Sequence, residues 1–474
     1  MSSRFRAVVL GLGPAGRIAA HRAAARGWDV LALDPAGGSM PSTVGAWVHQ
    51  LPGWLPAEAV ASRFHPSVVT SSGRARVLSD EYAILDTGVL ASLNGFDVRR
   101  ERGFCGARAV HMRWGGREGA RSGLRGVIDG ARDALVRVRA MVTPDPGEGP
   151  SVVVDSDGAG GDFAGWTDPD VVVDAVGADS GAVLVARQLA FGQVFRESDL
   201  PEGLRVPVLM DFTVPGPAGS GDEWAAEGYP ATFSYRLPLG DGTWLIEETI
   251  LAARTSADPG DPGRTRLHSH LRDAQARRLD GLGVDPTLAI GEETVDFSMG
   301  PRRLPDNRPR TPLHGRLRMV PVPGSRTSRL DLGFLARPFG GSAVPGHAHF
   351  GAGGGWMHPA TGYSVGAVLS DVDRFLDRLG ARGDASPAGG RPLAWLRRRG
   401  LHVLLAFDAT QTREFFDSFF TLPDSAIREY LTGTSAPETM SVMLRLALPL
   451  ARRNPATLVK LLATFADGKP TGRR

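Results

Sequence analysis

The sequence predicts an α/β protein with three parts: a parallel sheet with helices, an inserted antiparallel β region and a helical C-terminal region. Three observations predict this class. The first apolar run leads through a glycine-rich turn into an alanine-rich helix and a second apolar run, which is the order of a parallel βαβ unit. The middle of the chain alternates β-like runs with Gly, Pro and Asp turns. The C-terminal region spaces its apolar residues as a helix does.

The glycine-rich turn near the N-terminus has the pattern of a nucleotide-binding site. Gly11 permits a tight turn, Gly13 lets the backbone approach a pyrophosphate, and Gly16 lets the helix pack close to the strand. Ala15 lies in the same turn, where the free N–H groups of the helix favour a phosphate. Asp34 ends the next strand at a spacing that suits hydrogen bonds from a ribose. Together these residues predict that the chain binds a dinucleotide.

Two later segments have similar chemistry. A strand that begins at Val171 ends at Asp174 and exits through Gly177, which is typical of a strand edge that faces a nucleotide. Gly353 and Gly354 belong to a glycine-rich run before a second helix, where the backbone can approach a ligand closely. A structural turn before that helix is the alternative.

The composition is that of a globular enzyme, and it excludes several functions. The 474 residues contain 54 Lys and Arg against 51 Asp and Glu, and a net charge of +3 is too balanced to indicate nucleic-acid binding. Cys105 is the only cysteine, which excludes an intrachain disulfide and a thiolate zinc site. His268 and His270 lie two apart on an expected helix and do not share a face, so we expect no metal.

The sequence also predicts where the protein is found. It has no apolar stretch long enough to cross a bilayer, and nothing before residue 8 resembles a secretion signal. We therefore expect a cytoplasmic protein whose membrane contact, on the inner face of the cell membrane, is peripheral. The C-terminal apolar residues around Arg452 and Arg453 have the composition of an interfacial segment, and a helix packed on the rest of the protein is the alternative.

Shifts in composition predict three domains. Residues 1–96, 151–189 and 330–380 are expected to form a discontinuous nucleotide-binding domain. Residues 190–329 are expected to form a β-rich substrate domain, and residues 381–474 a helical C-terminal region. A nucleotide domain that is interrupted by a β insert and closed by helices suits a flavoprotein better than a simple dehydrogenase.

Further motifs follow the N-terminal glycines along the chain. They are the loop Pro41–Trp47, the run Leu245–Thr249, Ser298–Pro301 with Leu304-Pro305, His358–Tyr363 and Thr412–Phe420. In order and spacing these motifs resemble the flavin-dependent lycopene cyclases over most of the chain. The resemblance implies a Rossmann-like FAD-binding domain with the layout of hydroxybenzoate hydroxylase, reduced FAD as the active cofactor, and NADPH or NADH as the reductant. It also implies cyclisation of the linear ends of lycopene, or a related apolar carotenoid, into β-rings without net oxidation.

The chain departs from this family at two places. Ser42, Thr43 and Val44 stand where family members usually have two asparagines and an aromatic residue. His49 and Gln50 stand where acids usually follow the tryptophan. Both places concern the lining of the polyene site, so the differences bear on the specificity for the end group.

The Glu-Glu-Thr motif at 247–249 contains the expected acid. Neighbouring side chains of a strand point to opposite faces, so only one glutamate of the pair faces a substrate. If Leu245 faces the core, Glu247 shares its side, and by resemblance the first glutamate of the motif is the general acid. Burial keeps such a carboxyl protonated, as protonation of an alkene requires. We expect Glu247 to be the acid and Glu248 to hold the hydrogen-bond network; a solvated pair beside Arg254 is the alternative.

The resemblance also implies contacts with the cofactor and the substrate. The loop that contains His358, Pro359, Thr361 and Gly362 is expected to meet the flavin, together with the preceding glycines. Five side chains are expected to line a tunnel for the polyene, and the tryptophans among them suit an ordinary core equally well: Trp47, Trp244, Met299, Trp356 and Tyr363.

Two other function classes remain. A flavin-dependent monooxygenase of the hydroxybenzoate-hydroxylase type would share the inserted sheet. Such enzymes usually have Gly-Asp before the helix that faces the flavin, whereas this chain has Gly351 and Ala352, so the cyclase is favoured. A flavin-binding protein without catalytic activity is the third class.

Overall fold

The structure is a computed structural model. It describes residues 5–34, 38, 40–94, 110–111, 138–141, 151–154, 170–177, 184–216, 223–299, 317–321, 328–332, 346–381 and 383–467. Cys105 and the expected motif residues Gly300, Pro301, Leu304 and Pro305 lie outside the described residues.

Strands and helices are numbered in chain order. The strands are β1 (Arg6–Leu10), β2 (Asp29–Leu33), β3 (Val44–Trp47), β4 (Val60–Phe64), β5 (Ser67–Val69), β6 (Ala75–Val77), β7 (Tyr82–Leu85), β8 (Val110–His111), β9 (Val138–Met141), β10 (Ser151–Val154), β11 (Val171–Asp174), β12 (Leu184–Arg196), β13 (Val208–Asp211), β14 (Thr232–Pro238), β15 (Thr243–Ser256), β16 (Gly291–Ser298), β17 (Leu317–Pro321), β18 (Ser328–Leu332) and β19 (Gly346–His349). The helices are α1 (Pro14–Ala25), α2 (Thr87–Ser92), α3 (Glu223–Ala226), α4 (Pro262–Leu282), α5 (Gly351–Gly354), α6 (Val365–Gly380), α7 (Gly390–Ala406), α8 (Ala409–Phe419), α9 (Asp424–Thr432), α10 (Ala436–Arg453) and α11 (Pro455–Asp467).

The expected α/β class is confirmed, and a parallel sheet of order β19-β11-β1-β2 forms its first part. Strand β1 lies between β11 and β2, and its residues Ala7 to Leu10 are buried, as expected of a strand covered on both faces. Helix α1 follows β1 directly. A Cβ atom on Gly16 would lie 1.8 Å from the carbonyl oxygen of Gly11, so this contact between helix and turn requires glycine.

The substrate region is a larger sheet of order β16-β12-β15-β14-β13-β5-β6. Its long central strands are antiparallel, as expected for residues 190–329, but β12 begins earlier, at Leu184. Strands β5 and β6 come from the segment expected in the nucleotide domain, because β5 pairs in parallel with β13 and extends the sheet. The polar helix α4 covers one face of this sheet.

Two smaller sheets also change the expected boundaries. Strand β10, which was expected in the nucleotide domain, instead pairs with β9 and β18 in the sheet β17-β18-β10-β9-β8. The Pro41–Trp47 loop is also partly strand, since Val44–Trp47 forms β3 and pairs with β7. Pairing with β7 satisfies the backbone hydrogen bonds of β3, although the sequence of this segment does not have the pattern of a strand.

The C-terminal helices cover the other face of the large sheet. Phe212 of the sheet stacks on Phe416 of α8, with ring centroids 4.5 Å apart. The buried Asp417 of the same helix accepts hydrogen bonds from the backbone N–H and the hydroxyl of Ser71 and from Arg453. This carboxylate therefore connects α8 to α10 and to the β5–β6 turn.

Candidate functional site

A cleft opens where the strands of the parallel sheet end at their carboxyl side. Its empty volume is about 760 Å³. In open parallel sheets this edge is where nucleotides bind. The cleft is lined by Gly11, Gly13, Pro14, Ala15, Asp34, Ala175, Val176, Gly177, Ala352, Ser364, Val365 and Val368. Five residues expected from the sequence are therefore together here: Gly11, Gly13, Ala15, Asp34 and Gly177.

The N-termini of two helices lie at this cleft. Helix α1 begins after Gly13, and helix α6 begins after Ser364; neither residue caps its helix with a side-chain hydrogen bond, and neither first turn contains an acid. A Cβ atom on Gly13 would meet nothing within 4 Å, so the backbone faces open space. Free N–H groups and the positive ends of two helix dipoles suit a diphosphate.

Asp34 holds the edge of the cleft. Its carboxylate accepts a hydrogen bond of 2.6 Å from the backbone N–H of Leu12 and one of 3.0 Å from that of Gly38. The side chain thus connects the end of β2 to the glycine-rich turn. A carboxylate in this position can also accept hydrogen bonds from a ribose, because each oxygen has more than one lone pair.

Asp174, Gly353 and Gly354 lie beside the cleft rather than in its lining. The Asp174 carboxylate accepts a hydrogen bond from the backbone N–H of Val176 and lies 3.4 Å from Nδ1 of His349. A Cβ atom on Gly353 would lie 2.3 Å from the carbonyl oxygen of Gly177, and one on Gly354 would lie 2.6 Å from that of His349. Close backbone packing of α5 therefore accounts for both glycines, which was the structural alternative.

His358, Pro359, Thr361 and Gly362, in the loop between α5 and α6, are not part of the cleft lining, although Ser364 at the end of the same loop is. His358 is buried, and burial together with the nearby Arg397 lowers the pKa of its imidazole well below the usual value, so the ring is neutral. The half-buried Pro359 follows it. Thr361 faces an apolar cavity, and Gly362, at φ +77°, packs against Gln188.

The apolar cavity beside this loop lies between the large sheet and the C-terminal helices. Its empty volume is about 470 Å³, and almost all of its surface is hydrocarbon or aromatic. The transfer of an apolar chain from water to this cavity would be favourable. The cavity is lined by Val68, Leu78, Leu209, Met210, Ala360, Thr361, Tyr363, Leu404, Phe415, Phe416, Phe419, Phe420, Ile427, Tyr430 and Leu431.

Glu247 lies on the sheet face that packs toward the C-terminal helices. It pairs in register with Gly192 on one side and Tyr235 on the other, and Leu245, on the same side of β15, belongs to the apolar cluster of that face. The residue is only 7% exposed. Its Oε1 accepts a hydrogen bond of 3.0 Å from the hydroxyl of Thr249. The placement of Leu245 and Glu247 on one side matches the strand alternation expected from the sequence.

The surroundings of Glu247 favour its protonated form. Burial and, next, the negative charge of Glu293 raise the pKa of this carboxyl to about 8, although the hydrogen bond from Thr249 opposes the rise. Glu248 has a smaller raising effect on the same pKa. A carboxylic acid with this pKa still carries its proton at neutral pH and can donate it.

Aromatic side chains surround this carboxyl. The Tyr363 phenol influences the pKa of the Tyr235 hydroxyl, so the two phenols lie close together, and burial raises both pKa values well above the usual range. The Tyr82 ring lies 6.2 Å from that of Tyr363 and edge-on to Trp47 at 5.2 Å. Met299 belongs to the same apolar cluster. Of the five expected tunnel residues, Trp47 and Tyr363 both lie next to Tyr82, and Met299 belongs to the same apolar cluster.

Glu248 lies on the opposite face of the sheet. Its Oε1 is 2.5 Å from Nε of Arg278 in α4, and both side chains are buried. Burial raises the pKa of Glu248, whereas the positive charge of Arg278 lowers it. The hydrogen bond of Glu248 therefore connects the sheet to α4 on the face away from Glu247.

Two expected tunnel residues lie elsewhere. Trp244 packs with Ile246 and Leu279 under α4, because residues 244 and 247 of a strand point to opposite faces. Trp356 packs against Phe350 and Phe375 in the core of the parallel-sheet domain. The expectation that these two tryptophans line the same channel as Glu247 is thereby corrected.

Sequence reasoning missed three members of the site: Gly192, Tyr235 and Glu293. A signal for Glu293 was present, since residues 292–294 repeat the Glu-Glu-Thr of residues 247–249. Tyr235 carries no comparable local signal, because its position opposite Glu247 depends on the register between β14 and β15.

Comparison with known proteins identifies the family. A family model described as "Lycopene cyclase protein" matches residues 135–280 and 282–454. A Deinococcus radiodurans protein named as an uncharacterized carotenoid cyclase is 28% identical, over 98% of this chain and 97% of its own length. A lycopene beta cyclase of Synechococcus elongatus is 28% identical over 58% of this chain and 61% of its own.

A solved structure of a 2-methyl-3-hydroxypyridine-5-carboxylic acid oxygenase is also similar, with a TM-score of 0.41 and 12% identity over 91% of this chain and 93% of its own. The family model spans well over half of the chain, and the matched segments include β15 with Glu247 and Glu248, β16 with Glu293, and the helices that close the apolar cavity. The chain belongs to the lycopene cyclase family.

Proposed function

We propose that this protein is a carotenoid cyclase that converts the linear end groups of lycopene, or a related polyene, into β-rings by acid catalysis without net oxidation. One observation carries the proposal: Glu247 is a buried carboxylic acid, protonated at neutral pH, on an apolar and aromatic sheet face. Protonation of a hydrocarbon alkene needs such an acid, because water competes for the proton wherever it has access.

The proposed reaction conserves all atoms and electrons. The O–H bond of Glu247 breaks as its proton adds to the terminal double bond of the polyene, which leaves a tertiary carbocation. The neighbouring double bond attacks this carbon and closes the ring. Loss of a ring proton to the Glu247 carboxylate restores the acid and completes an isomerisation. The faces of Tyr235, Tyr363 and Tyr82 stabilise the positive charge as it moves.

The cleft at the parallel sheet fits FAD, which we propose as the cofactor. Gly13 faces open space, two uncapped helix N-termini suit the diphosphate, and Asp34 suits the ribose. In its reduced, anionic form FAD supplies negative charge that stabilises a carbocation, and NADPH or NADH would serve only to keep it reduced. We further propose that His358, Pro359, Thr361 and Gly362 hold the flavin ring between the cleft and the apolar cavity.

We propose that the C-terminal helices attach the protein peripherally to the cytoplasmic face of the membrane that stores the polyene. Helix α10 packs inward through Val442, Leu446 and Leu450, while Leu444 and Leu448 are 67% and 57% exposed on another side. No helix among the described residues is long and apolar enough to cross a membrane. Exposed leucines beside arginines are typical of a helix that lies in a lipid interface.

Replacement of the acid tests the proposed reaction. In cells that accumulate lycopene, we expect the wild-type chain to turn the pigment from red to yellow-orange and Glu247→Gln to leave it red, because an amide cannot donate the required proton. Chromatography of the extracted pigments gives the products. Glu292→Gln, an exposed site on β16, is the matched control and should cyclise as the wild type does. An oxygenated carotenoid from the wild type, or rings from Glu247→Gln, would contradict the proposal.

The same substitution should change the pH dependence of stability. The pKa of Glu247 is about 8 in the folded protein against an ordinary 4.5, so the unfolded chain binds fewer protons across that interval. The free energy of unfolding of the wild type therefore falls as pH rises, by up to about 1.4 kcal/mol per pH unit. We expect Glu247→Gln to gain stability relative to the wild type between about pH 5 and pH 8 in thermal unfolding. A difference in Tm that is the same at every pH would argue against a neutral buried acid.

A side chain at Gly13 should block the cofactor. The Cβ atom of Gly13→Val would enter the open cleft without meeting protein atoms, so the fold should be retained while bound FAD falls at least about tenfold. Flavin absorbance per mole of purified protein measures this loss. Gly53→Val, whose Cβ atom also meets nothing within 4 Å but lies outside the cleft, is the control. Full flavin content in Gly13→Val would exclude this cleft as the site.

Loss of the exposed leucines should weaken attachment to lipid. We expect Leu444→Gln combined with Leu448→Gln to reduce co-sedimentation with vesicles that contain phosphatidylglycerol by at least about tenfold, because two apolar side chains no longer enter the interface. Leu288→Gln combined with Ile290→Gln removes two exposed side chains from another surface and should bind as the wild type does. Equal binding by both double variants would refute this attachment surface.

A further inference from the structure

Four residues form a row across the central strands of the large sheet. Glu293 of β16 pairs with Gly192 of β12, Gly192 pairs with Glu247 of β15, and Glu247 pairs with Tyr235 of β14. Residues that pair directly across strands point to the same face. Two acidic side chains on that face therefore flank one glycine.

Gly192 makes room for the Glu247 side chain. A Cβ atom at this position would lie 2.8 Å from the Cβ atom of Glu247 and 3.1 Å from its Cγ atom, which is closer than such atoms approach. The backbones of β15 and β16 are about 10 Å apart, since neighbouring strands are about 4.8 Å apart. The side chains of Glu247 and Leu245 therefore occupy the space above the glycine, and Glu293 lies on the strand beyond it.

Two hydrogen bonds favour the charged form of Glu293. Its Oε1 accepts a hydrogen bond of 2.8 Å from the backbone N–H of Thr43, and its Oε2 accepts one of 2.7 Å from the Thr43 hydroxyl. Burial raises the pKa of Glu293, and both hydrogen bonds lower it. Glu247 has one hydrogen bond, from Thr249, and is more deeply buried, so Glu293 ionises first and Glu247 keeps its proton.

The groups that face Glu247 from the surrounding elements do not offset this negative charge. Tyr235 faces it from β14, Glu293 from β16 and Thr249 from its own strand. Glu248, on the other face of β15, also raises the pKa of Glu247. The described groups with the largest effects on this pKa include no cation.

We propose that Glu293 is a positioning residue: its carboxylate, fixed by Thr43 and in register with Glu247 across Gly192, keeps Glu247 in the protonated form that donates to the substrate. The inference rests on the proposed function for its catalytic meaning. Since Thr43 donates both hydrogen bonds to Glu293, the segment before β3 stabilises the negative charge near Glu247. In this way a residue outside the large sheet acts on the chemistry of the sheet.

Titration of Glu247 in the complete protein tests the proposal. Infrared difference spectra between the wild type and Glu247→Gln assign the protonated carboxyl band, whose loss with rising pH gives the titration midpoint. We expect Glu293→Gln to move this midpoint to lower pH by about one unit, because a neutral amide replaces the neighbouring charge. Ring formation in Glu293→Gln should then fall about tenfold more at pH 9 than at pH 6.

Two further variants keep the result interpretable. Glu292→Gln removes the adjacent, exposed glutamate of β16 and should leave the midpoint in place. Thr43→Val removes one of the two hydrogen bonds to Glu293 and should move the midpoint in the same direction as Glu293→Gln, by less; this variant decides the matter if Glu293→Gln does not fold. An unmoved midpoint, or a loss of activity that is equal at both pH values, would overturn the role of Glu293. If the midpoint moves but no chain forms rings, the pairing of the carboxyls stands and the proposed reaction fails.

Discussion

The burial of one carboxyl group without a cation partner is the constraint on which the rest of this site depends. Glu247 sits among aromatic and aliphatic side chains of the large sheet, and its ionisation would place a negative charge in a medium that solvates it poorly. Among the described residues, the side chains with the largest effects on its pKa are two carboxyl groups and a hydroxyl. Burial of an ionisable carboxyl group at this position is electrostatically unfavourable, and such burial is typical of functional sites.

The next residue shows how differently the same side chain can be treated. Glu248 is also buried, but it meets Arg278 at 2.5 Å, and the arginine further binds Thr213. This buried ion pair links α4 to the sheet. Because side chains alternate along β15, Glu248 lies on one face of the sheet, where it pairs with Arg278, and Glu247 lies on the other face, where we propose that it acts as the acid.

The sequence was informative where chemistry follows from local order. The glycines of the first turn, the helix α4 and the side of Glu247 follow from short patterns and strand alternation, and the structure has them in these places. Register and long-range pairing have no such local signal. The row of Glu293, Gly192 and Tyr235 depends on strands far apart in the chain. Trp244 lies on the face of β15 opposite Glu247, as the alternation of a strand requires.

Strands β5 and β6 give the architecture a consequence of its own. They lie near the N-terminus, yet they extend a sheet through β13, which begins only at Val208. Asp417, near the C-terminus, accepts hydrogen bonds from Ser71 in the turn between them. A fragment that contains only the later strands of this sheet would therefore lack β5, the partner of β13 on one side, and would expose apolar surface. During synthesis, β5 and β6 cannot complete their contacts until the last helices have emerged. Folding of this sheet is therefore slow and depends on distant segments of the chain.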